Sequence, residues 1–380
     1  MLKPIIAIFD HVGSKAGMDY YSSSLAKGFI SQGCACTVYS NFTGIEPNTI
    51  SYKIYYEGHT KSNALLKLFR FVTATIKSSY NARKQKTDLV ILHLFSADIV
   101  TLFLIMIPKF FGLKTAIISH DVSSFANNDS LLIQNLIYNT FADSIIVHNH
   151  FSHDGLMKNI KLQDPKKVTI IKHGGYLDYI SKRLDKLSVR KMLGLKTDGK
   201  YILFFGQIKE VKGLDILIEA MSKVSLDINL IIAGKPWKAV FSKYDMLIKK
   251  YNLEDRTIKM IHFIEDNDRE KLFFAADVNI LPYRIIYQSG VLLMAMSHGL
   301  PVIASNLSAN KEIIENFKNG ILFESGDADD LAKQITFFFQ NDTLQKSITE
   351  EALKTIQDEY SWNVIAEFYI DIVNSLAVQK

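Results

Sequence analysis

Apolar positions along the chain come in two textures. Short unbroken runs dense in Val, Ile and Leu alternate with longer stretches in which apolar residues recur every three or four positions. The unbroken runs read as strands buried on both faces of a parallel sheet, and the periodic stretches as helices. The first series of strands is "KPIIAIF", "ACTVYS", "DLVILHL", "LKTAIIS", "DSIIVH" and "KVTIIKH", with "YYSSSLAKGFISQG" as the helix after the first. Past "HGGYLDY" the chain turns polar and basic, and Gly194 and Gly199 break the periodicity, so 180–200 reads as a connection. A second series follows: "YILFFG", "INLIIAG", "TIKMIHF", "VNILPY", "PVIAS" and "GILFE". Between them lie the helices "GLDILIEAMSKV", "DREKLFFAA", "SGVLLMAMSHG" and "DADDLAKQITFFFQ".

Strand–helix alternation with right-handed crossovers predicts an α/β protein of two doubly wound, Rossmann-like domains facing a cleft. The expected domains are 1–182 and 183–380, with a last helix over 363–380 packing back on the first. A chain of 380 residues is too long for one ordinary core and suits two.

Composition narrows the picture. With 48% hydrophobic and 22% charged residues the chain is globular. The net charge of +5 fits a phosphate-bearing ligand or an anionic membrane, and is too small to argue for nucleic acid. Cys34 and Cys36 read as small buried hydrophobes in a reducing compartment. "MLKPIIAIFD" reads as a first buried strand, and the run Ile99 to Ile107 stops at Pro108, short of the ~20 residues of a spanning helix. The expected location is cytoplasmic.

The segment 61–86, "KSNALLKLFRFVTATIKSSYNARKQK", holds seven Lys or Arg and no acid. Drawn as a helix, it aligns Leu65, Leu68, Phe69, Val72 and Ile76 in one stripe, with Lys67, Arg70 and Lys77 on a different side. Two readings stand: the stripe packs on its own sheet, or the helix lies on the inner face of an anionic membrane.

Candidate chemistry gathers at strand ends. The loop "HVGSKAGMD" offers Gly13 and Gly17, which let backbone approach a phosphate or sugar. It lacks the Gly-Lys-Ser/Thr of a P-loop, and its glycines are misspaced for a dinucleotide fingerprint. By itself it is equally a plain turn. Three strands of the first series end in histidine, at His120 (before Asp121), His148 and His173. One such residue is ordinarily structural; three at one sheet edge read as a polar wall. Their spacing is not that of a zinc site, and no metal is expected.

In the second series, "FFGQIKEVKGLD" places Gly206 at a strand end, Lys209 and Lys212 in the loop, and Gly213 at a helix start. Two cations beside a helix N-terminus make a diphosphate clamp, although a solvated basic loop has the same composition. "LPYRIIYQSG" adds Arg284 and a second helix start from the same sheet. Its turn, Gln288, Ser289 and Gly290, precedes an apolar helix; Ser289 suits the cap, and the spare N–H groups suit an anion.

As an ordered set, "HD…VH…KHGGY", "FFGQIKEVKG", "LIIAGKP", "AADVNILPYR", "QSGVLLMAMSHGLPVIAS", "KEIIENFKNGILFESGDADDLA" and "YSW" resembles the group 1 (family 4) glycosyltransferases of the GT-B type. The likeness is strong from Tyr201 to Trp362 and continuous before it. It implies a hexosyltransferase that moves a sugar from a nucleotide-sugar to an acceptor, a sugar or lipid-linked precursor of surface polysaccharide. Retention is implied, and no cofactor: the nucleotide-sugar is a substrate.

By the same resemblance, Lys212 holds the donor diphosphate. Gln207 stands where an arginine is usual, so the second charge falls to Lys209 or Arg284. Gly17 lies near the donor phosphates and Glu312 contacts the donor. Gly206, Gln288, Ser289, Gly290 and Val291 belong to the same donor site, and Phe263 and Ile264 hold the base. His120 faces the reacting sugar, while Asp19, His148 and His173 lie on the acceptor side.

One departure stands out. Many members carry two glutamates eight positions apart, and here the second is Met294 and the first Ile286 or Gln288. Methionine cannot accept hydrogen bonds from a ribose. Either other groups hold the ribose, or donor choice is altered, or the protein is a weak or lost enzyme, and the intact "QSGV" turn favours the first. The alternatives are a catalytically silent glycosyltransferase-like subunit, because of Met294, and a sugar-nucleotide epimerase of the same fold.

Overall fold

The computed structural model describes residues 3–13, 17–44, 46–56, 63–120, 130–180, 183–237 and 240–378. Ser14 to Ala16 of the glycine loop, Lys61 and Ser62 of the basic segment, Asp121, and residues 181–182 at the expected boundary lie outside the described residues.

By contact the chain divides into two units, 1–174 with 360–380, and 175–359. The first holds a seven-stranded sheet. Its strands are β1 (Ile5–Phe9), β2 (Ala35–Ser40), β3 (Ser51–Ile54), β4 (Leu89–Leu94), β5 (Thr115–Ser119), β6 (Ser144–Val147) and β7 (Val168–Ile170), in the order β3-β2-β1-β4-β5-β6-β7. The second holds β8 (Lys200–Phe205), β9 (Ile228–Ala233), β10 (Thr257–Met260), β11 (Val278–Leu281), β12 (Val302–Ser305) and β13 (Ile321–Phe323), in the order β10-β9-β8-β11-β12-β13. The recorded pairings are all parallel. Strand order reverses between β1 and β4, and again between β8 and β11. In each unit this opens a crevice at the carboxyl ends of the strands.

These strands form where the apolar runs demand it. Every residue of β4, β5, β6 and β11 is buried, as helices on both faces of a parallel sheet require. The edge strand β3 was not legible in sequence: "SYKI" is exposed or half-buried throughout and carries no apolar run.

The polar connection also contains structure. Helix Lys186–Met192 packs Val189 with Phe274 and Ala275, and buries Arg190 against Asp277 at 2.8 Å and the Ala275 carbonyl at 2.9 Å. Residues 175–180 and 183–200 therefore belong by contact to the second unit. A buried guanidinium with these partners is a structural anchor that reads in sequence as a basic loop.

Helix Trp362–Val378 completes the first core with helix Met18–Ser31. The Tyr21 and Tyr369 hydroxyls meet at 2.9 Å between them. At Gly28 any Cβ would overlap the Trp362 carbonyl, so close approach of the helices requires glycine there. Cys34 and Cys36 are free and sit in the same core.

Candidate functional site

In the first unit, four histidines line up across neighbouring strand ends. His120 and His148 directly follow β5 and β6, His173 lies three residues past β7, and His93 sits within β4. Ring centres are 5.2 Å apart for His93 and His120, and 5.3 Å for both His120–His148 and His148–His173. The Tyr21 ring stands edge-on to three of them, 5.2 Å from His93, 5.5 Å from His120 and 4.9 Å from His173. Phe95 stacks on His120 at 4.5 Å.

Burial holds all four neutral, with His93 and His173 pushed down to about 3 and His148 to about 4. His120 is pushed well below the usual imidazole range, by burial and then by its three histidine neighbours. The His148 Nδ1–H donates to the Ile171 carbonyl at 2.9 Å, and the His173 Nδ1–H to the Gly174 carbonyl at 2.6 Å. Among the described residues no three His, Cys, Asp or Glu side chains are placed to hold a metal ion.

Gly17 lies at the start of helix Met18–Ser31, and the Asp19 N–H donates to the Gly13 carbonyl at 3.1 Å. Sequence reasoning missed His93, together with Asp10 and Ser22, which the structure hydrogen-bonds to it in a line. The available signal was a histidine inside the otherwise apolar "LVILHL", where a polar side chain needs a partner.

In the second unit, the loop after β8 meets the loop after β11. The Arg284 N–H donates to the Val211 carbonyl at 2.8 Å. Gly213 adopts φ +65° beneath the Pro282 carbonyl, which a Cβ would overlap. The Lys212 ammonium lies 3.6 Å from the centre of the Tyr283 ring. Among the described residues no carboxylate pairs with it, and burial pushes it down to about 7. An ammonium held this way has lost water and gained no counter-charge, which prepares it for an anionic ligand.

Ser289 caps helix Gly290–Ser297, its Oγ accepting from the Leu292 N–H at 3.2 Å. Gly206 ends β8 beside Val291, whose methyl would lie 3.6 Å from a Cβ there. Lys209 lies 4.4 Å over the Trp237 ring. These residues converge from two loops of one sheet edge.

Other candidates are placed differently. The Arg284 guanidinium forks onto Asp215 at 2.8 and 2.6 Å, so its charge is already answered. Gln207 is exposed and Gln288 half-buried. Phe263 is exposed while Ile264 is buried, both in the loop after β10. Glu312 is exposed at the end of helix Ser308–Lys311, and Met294 is buried in helix Gly290–Ser297.

On helix Ala64–Lys84, the buried face is made of Ala74, Thr75, Ser78, Ser79 and Ala82. Leu65, Phe69, Ile76 and Tyr80 are instead 79%, 65%, 42% and 62% exposed. Small residues allow close packing inward, and the larger apolar ones are left in water. Among the described residues no helix is long and apolar enough to cross a membrane.

Residues 185–355 match the family model of the group 1 glycosyl transferases. An uncharacterized glycosyltransferase of Methanocaldococcus jannaschii is 28% identical over 190 residues, covering 50% of this chain and 48% of its own. A phosphatidyl-myo-inositol mannosyltransferase of Mycobacterium leprae is 26% identical, over 50% of each chain. These matches therefore span about half the length of the relatives. Among solved structures, that of Anabaena HepE in complex with UDP superposes with a TM-score of 0.76 at 17% identity, covering 98% of this chain and 100% of that one. Residues 185–355 are thus similar to the group 1 glycosyl transferases, and the chain has the fold of the HepE structure, the GT-B fold of two Rossmann-like domains.

Proposed function

We propose that this protein is a glycosyltransferase that takes a hexose from a nucleotide-sugar and delivers it, with retention, to a sugar or lipid-linked acceptor. The observation that carries this reading is the Lys212 ammonium, paired with no carboxylate among the described residues and packed on Tyr283 beside two converging loops. As the sugar–phosphate bond breaks, negative charge grows on the leaving diphosphate. Lys212, with Lys209 and the free N–H groups of helix Gly290–Ser297, stabilises that charge without reorganising. In this reading His120 faces the transferred sugar, and the leaving phosphate itself takes the acceptor's proton, so no protein nucleophile is required. The cations and N–H dipoles carry the role a metal would otherwise fill, and the nucleotide-sugar is the only small-molecule partner needed. UDP in the HepE complex supports a uridine diphosphate donor.

For the acceptor, the supporting observation is the outward apolar stripe of helix Ala64–Lys84 beside Lys67, Arg70 and Lys77. Apolar side chains enter a bilayer interface while lysines and arginines face anionic headgroups. That combination favours an acceptor presented at the inner face of a membrane. A mannosyltransferase named for phosphatidyl-myo-inositol among the relatives supports the same class.

The test is release of free nucleotide from a panel of nucleotide-sugars, with and without lipid extract, in the presence and absence of EDTA. Release that depends on lipid and ignores EDTA is expected. Because Met294 offers no acceptor to a ribose, a second reading is a silent glycosyltransferase-like subunit. Tight nucleoside diphosphate binding with no release under any condition would select it.

A further inference from the structure

Asp10, at the end of β1, is fully buried. Its Oδ1 accepts from the Val12 N–H at 3.1 Å and the Gly13 N–H at 2.7 Å. Its Oδ2 accepts from the Ser22 hydroxyl at 2.7 Å. Ser22 Oγ lies 3.1 Å from His93 Nε2, and His93 Nδ1 lies 3.0 Å from His120 Nε2. Four side chains thus form one continuous line, from a carboxylate to a histidine of the candidate site.

We infer that Asp10 fixes the tautomer of His120, through Ser22 and His93, so that His120 carries its proton on Nε2 and keeps a bare Nδ1. The argument is a count of protons. A hydroxyl has one proton, and Ser22 spends it on Asp10, so toward His93 it can only accept. His93 must therefore donate from Nε2. A neutral imidazole has one N–H, so His93 Nδ1 is a bare acceptor, and His120 must donate to it from Nε2. Both rings are kept neutral by burial, with His148 and His173, also neutral, as the nearest titratable neighbours of His120. Burial pushes the Asp10 carboxyl up, against the hydrogen bonds from Ser22, Gly13 and Val12 and the influence of His11, with Tyr56 a second titratable neighbour, and the count takes Asp10 as the carboxylate. What remains on His120 is Nδ1, a hydrogen-bond acceptor with no partner among the described residues.

The direction of the line depends on the carboxylate. In Asp10→Asn, the Val12 and Gly13 N–H groups keep the amide oxygen on their side, because only an acceptor satisfies them. The amide NH₂ then faces Ser22 and donates. Ser22 turns its proton to His93 Nε2, His93 donates from Nδ1, and His120 is left bare at Nε2 with its proton on Nδ1. An isosteric change that removes one charge therefore reverses the hydrogen-bonding sense of a ring three side chains further along. Asp10, Ser22 and His93 are positioning residues. Their relevance to transfer rests on the reading that His120 faces the sugar, where a bare nitrogen accepts from a sugar hydroxyl. The tautomer itself does not rest on that reading.

Nitrogen-15 NMR of the full chain labelled at its ten histidines tests this, with His120 assigned by the signal lost in His120→Gln. The wild type is expected to show His120 protonated at Nε2 and bare at Nδ1. Asp10→Asn is expected to reverse the two, and Ser22→Ala to give a mixture. A wild-type His120 protonated at Nδ1 would overturn the inference, as would a folded Asp10→Asn that keeps the wild-type pattern. Should Asp10→Asn fail to fold, an unchanged single tautomer in Ser22→Ala overturns it equally. In kinetics, Asp10→Asn is expected to lose about tenfold or more in kcat with little change in donor KM, the scale of one misdirected hydrogen bond. A reversed tautomer with unchanged kcat would uphold the line and remove His120 from the sugar.

Discussion

The Lys212 ammonium stands 3.6 Å from the centre of the Tyr283 ring, with no carboxylate to answer it among the described residues. A lysine in that position has a proton to lose near neutral pH, and the direction of its linkage can be worked out. Its free-state value is depressed to about 7, against an unfolded value near 10.4. Between those two values the unfolded chain binds more protons, so this residue makes the unliganded fold more stable as pH rises. A bound diphosphate favours the ammonium and raises the same value, so its effect has the opposite sign. Affinity for a nucleoside diphosphate is expected to fall about tenfold per pH unit above 7. Calorimetry with UDP from pH 6 to 9 checks it, and a flat profile would contradict the clamp. Lys212→Arg, charged throughout, is expected to flatten the profile.

Lys212→Ala is expected to lower turnover roughly 10²-fold or more, the scale of one transition-state charge contact. Arg284→Ala should behave differently, because its fork is spent on Asp215. For that half-exposed pair the expected cost is about 1 kcal/mol of stability or less, with UDP affinity nearly unchanged. Parallel measurement of kcat, UDP affinity and urea midpoint separates the two. Equal loss of UDP affinity in both variants would put Arg284 on the diphosphate after all.

Gly213 is fixed by its backbone. At φ +65°, with the Pro282 carbonyl where a Cβ would go, Gly213→Ala is expected to destabilise the protein by about 2 kcal/mol or more. Urea unfolding measures this directly. A loss below a few tenths would show that the two loops part without cost.

Helix Ala64–Lys84 makes a prediction about surfaces. Vesicle sedimentation should show binding that needs anionic lipid and weakens in high salt. Replacing Lys67, Arg70 and Lys77 with Gln should reduce it, and so should replacing Leu65 and Phe69 with Ser, because both headgroup attraction and apolar insertion are involved. Equal binding to neutral and anionic vesicles, or none to either, would remove the membrane from the proposal.

Much of this protein was determined by sequence alone, and the reason is burial. Strands covered on both faces must be apolar throughout, so runs such as "DLVILHL" and "INLIIAG" announce β4 and β9 without any partner being known. Helix starts are legible for a local reason as well: Ser289 caps its own helix through residues three positions away. Tertiary structure alone decided whatever depends on groups distant in the chain. No local signal tells that Arg284 is answered by Asp215, 69 positions earlier, while among the described residues no carboxylate answers Lys212. Nor does periodicity say which face of helix Ala64–Lys84 turns inward. Its apolar stripe read equally as a packing face or a membrane face, and the fold chose small residues for the inward contact because they let the helix approach closely. The line from Asp10 to His120 is the extreme case. It spans residues from β1, β4 and the end of β5 and a helix between them, and it exists only once the strand order has placed β4 beside both β1 and β5.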